Sequence, residues 1–335
     1  MGQIRRKLDG EIRRNTVMEW QMRSRRDGSL RSESGDTRPS GAERHLPPHQ
    51  QPRARLFETG EGPSRWLAIM LRPRPPLDEI VECLWYVEGS EACSARLPPI
   101  GGTELVINLG ATYELAGAGH LHSGRLFKGA WVEGLRDGWL ESRARGCTAL
   151  MGARFRAAGA YRIMGPAIRE LGNRLVEADE ILGRDLPRLR ERLGNERDTG
   201  SRFDTLESYL AARVDRGYEI DRRAVWAAGQ LGRGENGSQI RRLGAEMSIS
   251  RQRFVELFHR YVGLTPKRFA RIVRFGGVIR SLAGAIKPDW PVVALEHGFY
   301  DQSHLVGEFQ RMAGCSPTQF MKRRDGLSQS VVMMD

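Results

Sequence analysis

The chain has no apolar run near the ~18–20 residues that span a bilayer, which argues against a transmembrane helix. It opens with MGQIRRKLDGEIRR, where charges stand in place of the apolar core of a signal peptide, so the expected location is the cytoplasm. Cysteine is scarce. Cys83, Cys93, Cys147 and Cys315 form no CxxC pair and lie near no His pair at metal-finger spacing, so reduced, partly buried thiols are expected rather than a disulfide framework. GxSxG, HExxH and P-loop signatures are absent, so none of these hydrolase, protease or nucleotide-binding motifs suggests an enzyme.

What is present points to a folded protein with a basic end. The 335 residues are enough for two or three domains, and 40% hydrophobic with 28% charged residues is the balance of a globular chain. The net charge of +12 is uneven. Residues 1–60 carry 13 Lys and Arg against 8 Asp and Glu, residues 61–237 carry 25 of each, and residues 238–335 carry 15 against 8. A basic terminal region suits a polyanionic partner, through phosphate contacts and counterion release.

Residues 1–62 are rich in Arg, Ser, Gly, Pro and Gln without apolar periodicity, and read as a disordered basic extension. Residues 63–200 read as a β-rich domain that ends in helices. IVECLWYVEG, TELVINLG, YELAG, LFKGAWVEG and ALMGARF are short runs bounded by Gly, Pro or Asn, a pattern that predicts an antiparallel sandwich or barrel. From about Pro166 to Arg192 leucines recur every three or four residues, Leu175 among them, which predicts helix interrupted at Pro187. A further helix is expected from about Asp204 to Val214, and residues 326–335 read as a flexible tail.

Within residues 205–325 one design occurs twice. Ser250-Arg-Gln-Arg-Phe254 with Phe258 matches Asp301-Gln-Ser-His-Leu305 with Phe309. Gly263-Leu-Thr-Pro266 and Gly314-Cys-Ser-Pro317 then follow, with 13 residues from cap to glycine in each copy. Ser250 and Asp301 are N-caps for the free N–H groups of a helix start, the apolar residues four apart share its inner face, the glycines end it, and each proline suits the first turn of the next helix. Arg, Gln and Ser on the outer face of such a helix are side chains able to read base edges.

These motifs, with Gly298-Phe-Tyr-Asp-Gln-Ser-His-Leu305 and Gly263-Leu-Thr-Pro-Lys-Arg-Phe269 followed by Arg271, Ile272 and Phe275, resemble the AraC/XylS family of transcription regulators. The resemblance implies an all-α double helix-turn-helix domain, its units joined by a long helix from about Pro266 to Ala285. The recognition helices, about Ser250–Tyr261 and Asp301–Met312, would enter successive major grooves about 34 Å apart. It implies Arg251, Gln252, Val255 and Glu256 at bases in the first unit, and Gln302, Ser303 and His304 in the second. Ser250, Arg260, Lys267, Arg268, Arg271, Arg311 and Lys322 are expected at phosphates. Two positions depart from the family's habit: Ser248 stands in the first turn where Gly is common, and Gly307 where many members carry Arg.

The middle region is similar to a sensor-like domain that precedes this module in some AraC-type regulators. Pro73-Arg-Pro-Pro76, Leu84-Trp-Tyr86, Gly102-x-Glu-Leu-Val-Ile-Asn-Leu109 and Gly152-Ala-Arg-Phe-Arg-Ala-Ala-Gly-Ala-Tyr161 carry that similarity. It implies a cupin-like barrel with helices, hence an α+β multidomain protein that binds an effector or dimerises. The expected partners are double-stranded DNA, with RNA polymerase, a small-molecule effector and a second copy of the chain also open. No cofactor, catalytic residue or metal is expected. The alternative is a metal-dependent cupin-type enzyme with an appended DNA-binding domain. It would need His120 and His122 with a carboxylate, yet these histidines sit in a turn-like GAGHLHSGR and the next Glu is the distant Glu133.

Overall fold

The computed structural model describes residues 53–59, 65–90, 92–99, 101–117, 124–233, 239–282, 285 and 287–322. Those from Ala54 onward belong to one compact unit. The expected extension up to residue 52, His120, His122 and the tail lie outside the described residues.

Among the described residues the sheet domain has eleven strands: β1 Ala54–Thr59, β2 Trp66–Leu71, β3 Val81–Gly89, β4 Ser94–Leu97, β5 Thr103–Asn108, β6 Tyr113–Gly117, β7 Arg125–Phe127, β8 Ala130–Glu133, β9 Leu140–Ala144, β10 Thr148–Phe155 and β11 Leu175–Glu177. They form a seven-stranded sheet in the order β1-β2-β3-β10-β5-β8-β11 and a four-stranded sheet in the order β4-β9-β6-β7. Every pairing is antiparallel; Met151 of β10, for instance, lies opposite Tyr86 on one side and Ile107 on the other. The domain is sheet-rich as expected, but among the described residues its strands divide into two sheets and no single barrel closes.

Alternation of side chains across the larger sheet explains why its strands read as nearly unbroken apolar runs. Leu84, Tyr86, Leu105, Ile107, Val132, Met151 and Ala153 face a core shared with the helices. Their neighbours Cys83, Trp85, Val106 and Trp131 face the smaller sheet, meeting Tyr113, Leu115, Phe127 and Leu140. Both faces are buried, so neither face of a central strand carries a polar stripe.

Five helices follow or flank the last strand: α1 Ala160–Met164, α2 Ile168–Leu171, α3 Ala178–Leu182, α4 Leu186–Asn195 and α5 Thr199–Asp215. The stretch expected to be helical from Pro166 to Arg192 is therefore interrupted by β11, where Val176 pairs with Val132 of β8. Pro187 sits in the first turn of α4, where its missing N–H costs nothing. β1 occupies residues 54–59, inside the segment expected to be a disordered extension, because β2 offers it an edge to pair with along its whole length. LFKGAWVEG divides into β7 and β8 around Lys128-Gly129.

Among the described residues seven helices make the C-terminal domain: α6 Arg222–Gly232, α7 Gln239–Glu246, α8 Arg251–Val262, α9 Pro266–Ser281, α10 Trp290–Glu296, α11 Gln302–Ala313 and α12 Pro317–Lys322. Their core joins Phe254, Phe258, Phe275, Leu305 and Phe309 with Leu231 and Leu243. Residues 205–215, expected at the start of this domain, belong to α5 instead, whose Phe203, Leu206 and Leu210 are buried in the core of the sheet domain. No helix among the described residues is long and apolar enough to cross a membrane.

Candidate nucleic-acid interface

Each recognition helix begins at the expected cap. Ser250 Oγ accepts from Arg253 N (3.2 Å) at the start of α8, and Asp301 Oδ1 accepts from His304 N (2.8 Å) at the start of α11. Each ends on a left-handed glycine, Gly263 (φ 85°) and Gly314 (φ 65°). Thr265 Oγ1 caps α9 through Arg268 N (3.4 Å). Ser316 and Gln319 exchange hydrogen bonds at the start of α12, Ser316 Oγ accepting from Gln319 N (3.2 Å) and Gln319 Oε1 from Ser316 N (3.0 Å), a reciprocal capping box.

The turns that lead into α8 and α11 share one geometry. A left-handed residue ends the preceding helix, and the next N–H reaches back five residues: Ile249 N to Gly244 O (3.1 Å) and Phe299 N to Ala294 O (2.8 Å). The left-handed residue is Gly298 (φ 68°) in the second unit and Ser248 (φ 54°) in the first. Ser248, where the family often has Gly, thus bears a conformation that favours glycine. The second turn is longer by one residue, Tyr300, which stands 87% exposed beside the Asp301 cap.

The outer faces of the two helices differ. On α8, Arg251, Gln252 and Glu256 are exposed and Val255 is half-buried. Arg253 is exposed too and pairs with Glu256 (2.9 Å). On α11, Gln302, Ser303 and His304 are exposed, but His304 folds back: its Nδ1 accepts from Tyr300 N (3.4 Å), and its ring lies 5.2 Å from that of Phe299. Gly307 is exposed, and a Cβ there would meet nothing within 4 Å. Arg253 and Tyr300 were missed by sequence reasoning, although both lie inside the matched motifs and only their exposure singles them out.

The basic residues divide into two groups. Arg260, Lys267, Arg311 and Lys322 are exposed. A hydrogen bond with Tyr161 of the sheet domain holds the Arg260 guanidinium above its ordinary value. Arg268 and Arg271 are engaged by acids. Arg268 Nε donates to Asp137 Oδ2 (2.7 Å); burial pushes the Asp137 carboxyl up, but the hydrogen bond and charge of Arg268 outweigh it and hold the group below its ordinary value. Arg271 Nη2 donates to Glu308 Oε1 (2.7 Å), a carboxylate only 7% exposed. Arg274 stacks on Phe299 (4.4 Å) and donates to Gly298 O (3.2 Å), which braces the second turn.

The enzyme alternative gains no ligand set from the described residues. Glu133 is committed to Arg136, and the four cysteines form no disulfide, Cys83 and Cys315 being buried.

Two helix-turn-helix units that project polar helix starts from one basic, all-helical core define a DNA-binding domain. Residues 243–323 match the family model of a helix-turn-helix domain, and residues 69–177 match that of a domain of unknown function (DUF6597). An uncharacterized HTH-type transcriptional regulator of Haemophilus influenzae is 29% identical over 91 residues, 26% of this chain and 29% of that protein, so the match spans under a third of the curated relative. Among solved structures, ToxT from Vibrio cholerae aligns at 11% identity over 70% of this chain and 96% of its own, with a TM-score of 0.39. Unsaturated fatty acid bound ToxT from the same organism aligns at 9% identity over 70% and 92%, with a TM-score of 0.38. KdgF from Halomonas sp. aligns at 11% identity over 30% and 84%, with a TM-score of 0.23. Likenesses this distant decide neither ligand nor reaction. The C-terminal domain is a double helix-turn-helix, preceded by a two-sheet domain.

Proposed function

We propose that the protein is a sequence-specific transcription regulator that reads two successive major grooves with α8 and α11, under the control of the sheet domain. The observation that carries this reading is the pair of matched caps, Ser250 and Asp301, each holding a helix whose first-turn side chains are exposed and polar. Arg251, Gln252 and Glu256, with the exposed part of Val255, would meet base edges in one groove, and Gln302, Ser303 and His304 in the next. Arg253 and Tyr300 join them as contacts at the two helix starts. Arg260, Lys267, Arg311 and Lys322 take phosphates, as does the N-terminal turn at Ser250. Arg268 and Arg271 act instead as structural ion pairs, Arg268 binding the sheet domain and Arg271 tying α9 to α11. With Gly307 bare, α11 presents fewer base-reading groups than α8, so the second unit sets register more than it reads. The protein would work in the cytoplasm, where a small-molecule effector, RNA polymerase and a second copy of the chain are the further partners this reading admits.

Selection of duplexes from a random library by the intact protein tests it. A consensus of two half-sites about one helical turn apart is expected. Affinity for that site should fall with salt by about 0.9 in log–log slope per phosphate neutralised. Gln252→Ala should cost about 1–3 kcal/mol and relax preference at one position. A pool with no consensus, bound with a purely non-specific salt slope, would reject the reading.

A further inference from the structure

The loop Gly134–Trp139 between β8 and β9 divides its side chains between two domains. Arg136 turns into the sheet domain, where its guanidinium donates to the Glu133 carboxylate and to the carbonyls of Leu97 (3.3 Å), Pro98 (3.3 Å) and Gly138 (2.6 Å). Beside it Arg154 of β10 donates to Glu104 of β5 (3.0 Å). All four side chains are buried, two acids facing two guanidiniums. The loop is therefore fastened from behind.

Its alternate residues face the helical domain. Leu135, 1% exposed, enters the helical core. Asp137 binds Arg268 at the start of α9, while its own N–H donates to Asn173 Oδ1 (2.9 Å). Trp139 lies against Gly314: a Cβ on that glycine would come within 2.7 Å of the indole nitrogen. Arg96 of β4 stacks over Trp139 (4.3 Å) and donates to Gly314 O (3.1 Å). The first unit is seated in the same way. A Cβ on Gly172 would lie 2.5 Å from Gly263 O, and one on Gly263 would lie 2.6 Å from Ile168 O. The sheet domain thus touches the C-terminal caps of both recognition helices and leaves their N-terminal turns exposed.

A helix held at its cap is steered at its far end. α8 and α11 have 12 residues each, so they are about 18 Å long, and a tilt of about 5° at the cap moves the base-reading turn by about 1.5 Å. That exceeds the window within which a hydrogen bond to a base edge keeps its strength. We infer that the loop Gly134–Trp139, together with Arg96, is a positioning element for DNA recognition, one that sets the half-site spacing the two helices accept. Its residues touch no DNA. The inference rests on the two-groove reading above.

The test uses the full chain and the duplex selected by the wild type, with its own spacing and with two base pairs inserted between half-sites. For the double variant Arg96→Ala/Asp137→Asn, affinity at the selected spacing should fall about 5- to 10-fold, the range of a modest coupling between sites. Affinity for the lengthened duplex should stay as in the wild type, so spacing discrimination shrinks by the same factor. An equal loss at both spacings, or no loss at either, would overturn the inference and leave the two-groove reading standing. Failure of the wild type to select any two-part site would overturn both. If the double variant does not fold, as judged by thermal unfolding, Asp137→Asn alone is put through the same comparison, with the same outcomes deciding.

Discussion

Arg271 and Glu308 meet where α9 packs on α11, beside the ring contact of Phe275 with Phe309 at 5.0 Å. The second oxygen of Glu308 is buried without a hydrogen-bond partner, so Arg271 supplies the carboxylate's side-chain hydrogen bond, with the charge of Arg274 also near it. Arg271→Ala is therefore expected to lower unfolding free energy by about 3 kcal/mol, the cost of stranding a buried charge, as read by urea denaturation. Removing Glu308 as well should recover part of that loss. Wild-type stability combined with uniformly weaker DNA binding would return Arg271 to the phosphate set. Ser248 holds a left-handed backbone that disfavours any Cβ. Ser248→Gly should raise stability by up to about 1 kcal/mol, the relief of that strain less the extra freedom of glycine in the unfolded chain; a lower melting temperature would count against this. The role of Arg271 could not be read from sequence, since an arginine in a basic segment looks the same whether it faces phosphate or a buried acid.

At the scale of elements, the recognition helices were the most legible part of the chain. The expected limits Ser250–Tyr261 and Asp301–Met312 differ from Arg251–Val262 and Gln302–Ala313 by one residue at each end. Caps, a 3.6-residue apolar period and a terminal glycine are local signals, and each was present in both copies. β11 was not legible, because Leu175-Val-Glu177 continues the leucine spacing of its neighbours and becomes strand only by pairing with β8. Glycine in a helix interior costs about 1 kcal/mol relative to alanine, and Gly307 has open space where its Cβ would be. Gly307→Arg should therefore stabilise α11 by about 0.5–1 kcal/mol and tighten binding to the selected duplex, with a steeper salt dependence. Chemical denaturation and duplex titration check the two halves separately. Unchanged affinity in a stabilised variant would mean that this face of α11 does not reach the groove.

For the whole molecule, the buried cluster behind the loop ties stability to pH. Burial pushes the Glu104 carboxyl up to about 7, against the pull of Arg154 and with a further push from Glu133. The folded protein then keeps a proton that the unfolded chain has released, so this contribution is complete below the ordinary carboxylate value and is lost as pH rises toward 7. Wild type should lose stability relative to Glu104→Gln between about pH 5 and pH 7, a difference to be followed by thermal unfolding at fixed ionic strength. A constant difference across that range would mean that Arg154 keeps Glu104 ionised throughout.

The sequence by itself determined the repeated unit, its caps, its terminal glycines and the basic end of the chain, because each depends on residues within one or two helical turns. Tertiary structure decided which arginines face acids, where α5 belongs, how the strands divide between two sheets, and that the sheet domain touches the C-terminal caps of both recognition helices. Those outcomes depend on which distant surfaces meet. Asp137 and Arg268 are separated by 131 residues, and Arg96 and Gly314 by 218. Local patterning carries no signal for such pairs, and only packing brings them within hydrogen-bond reach.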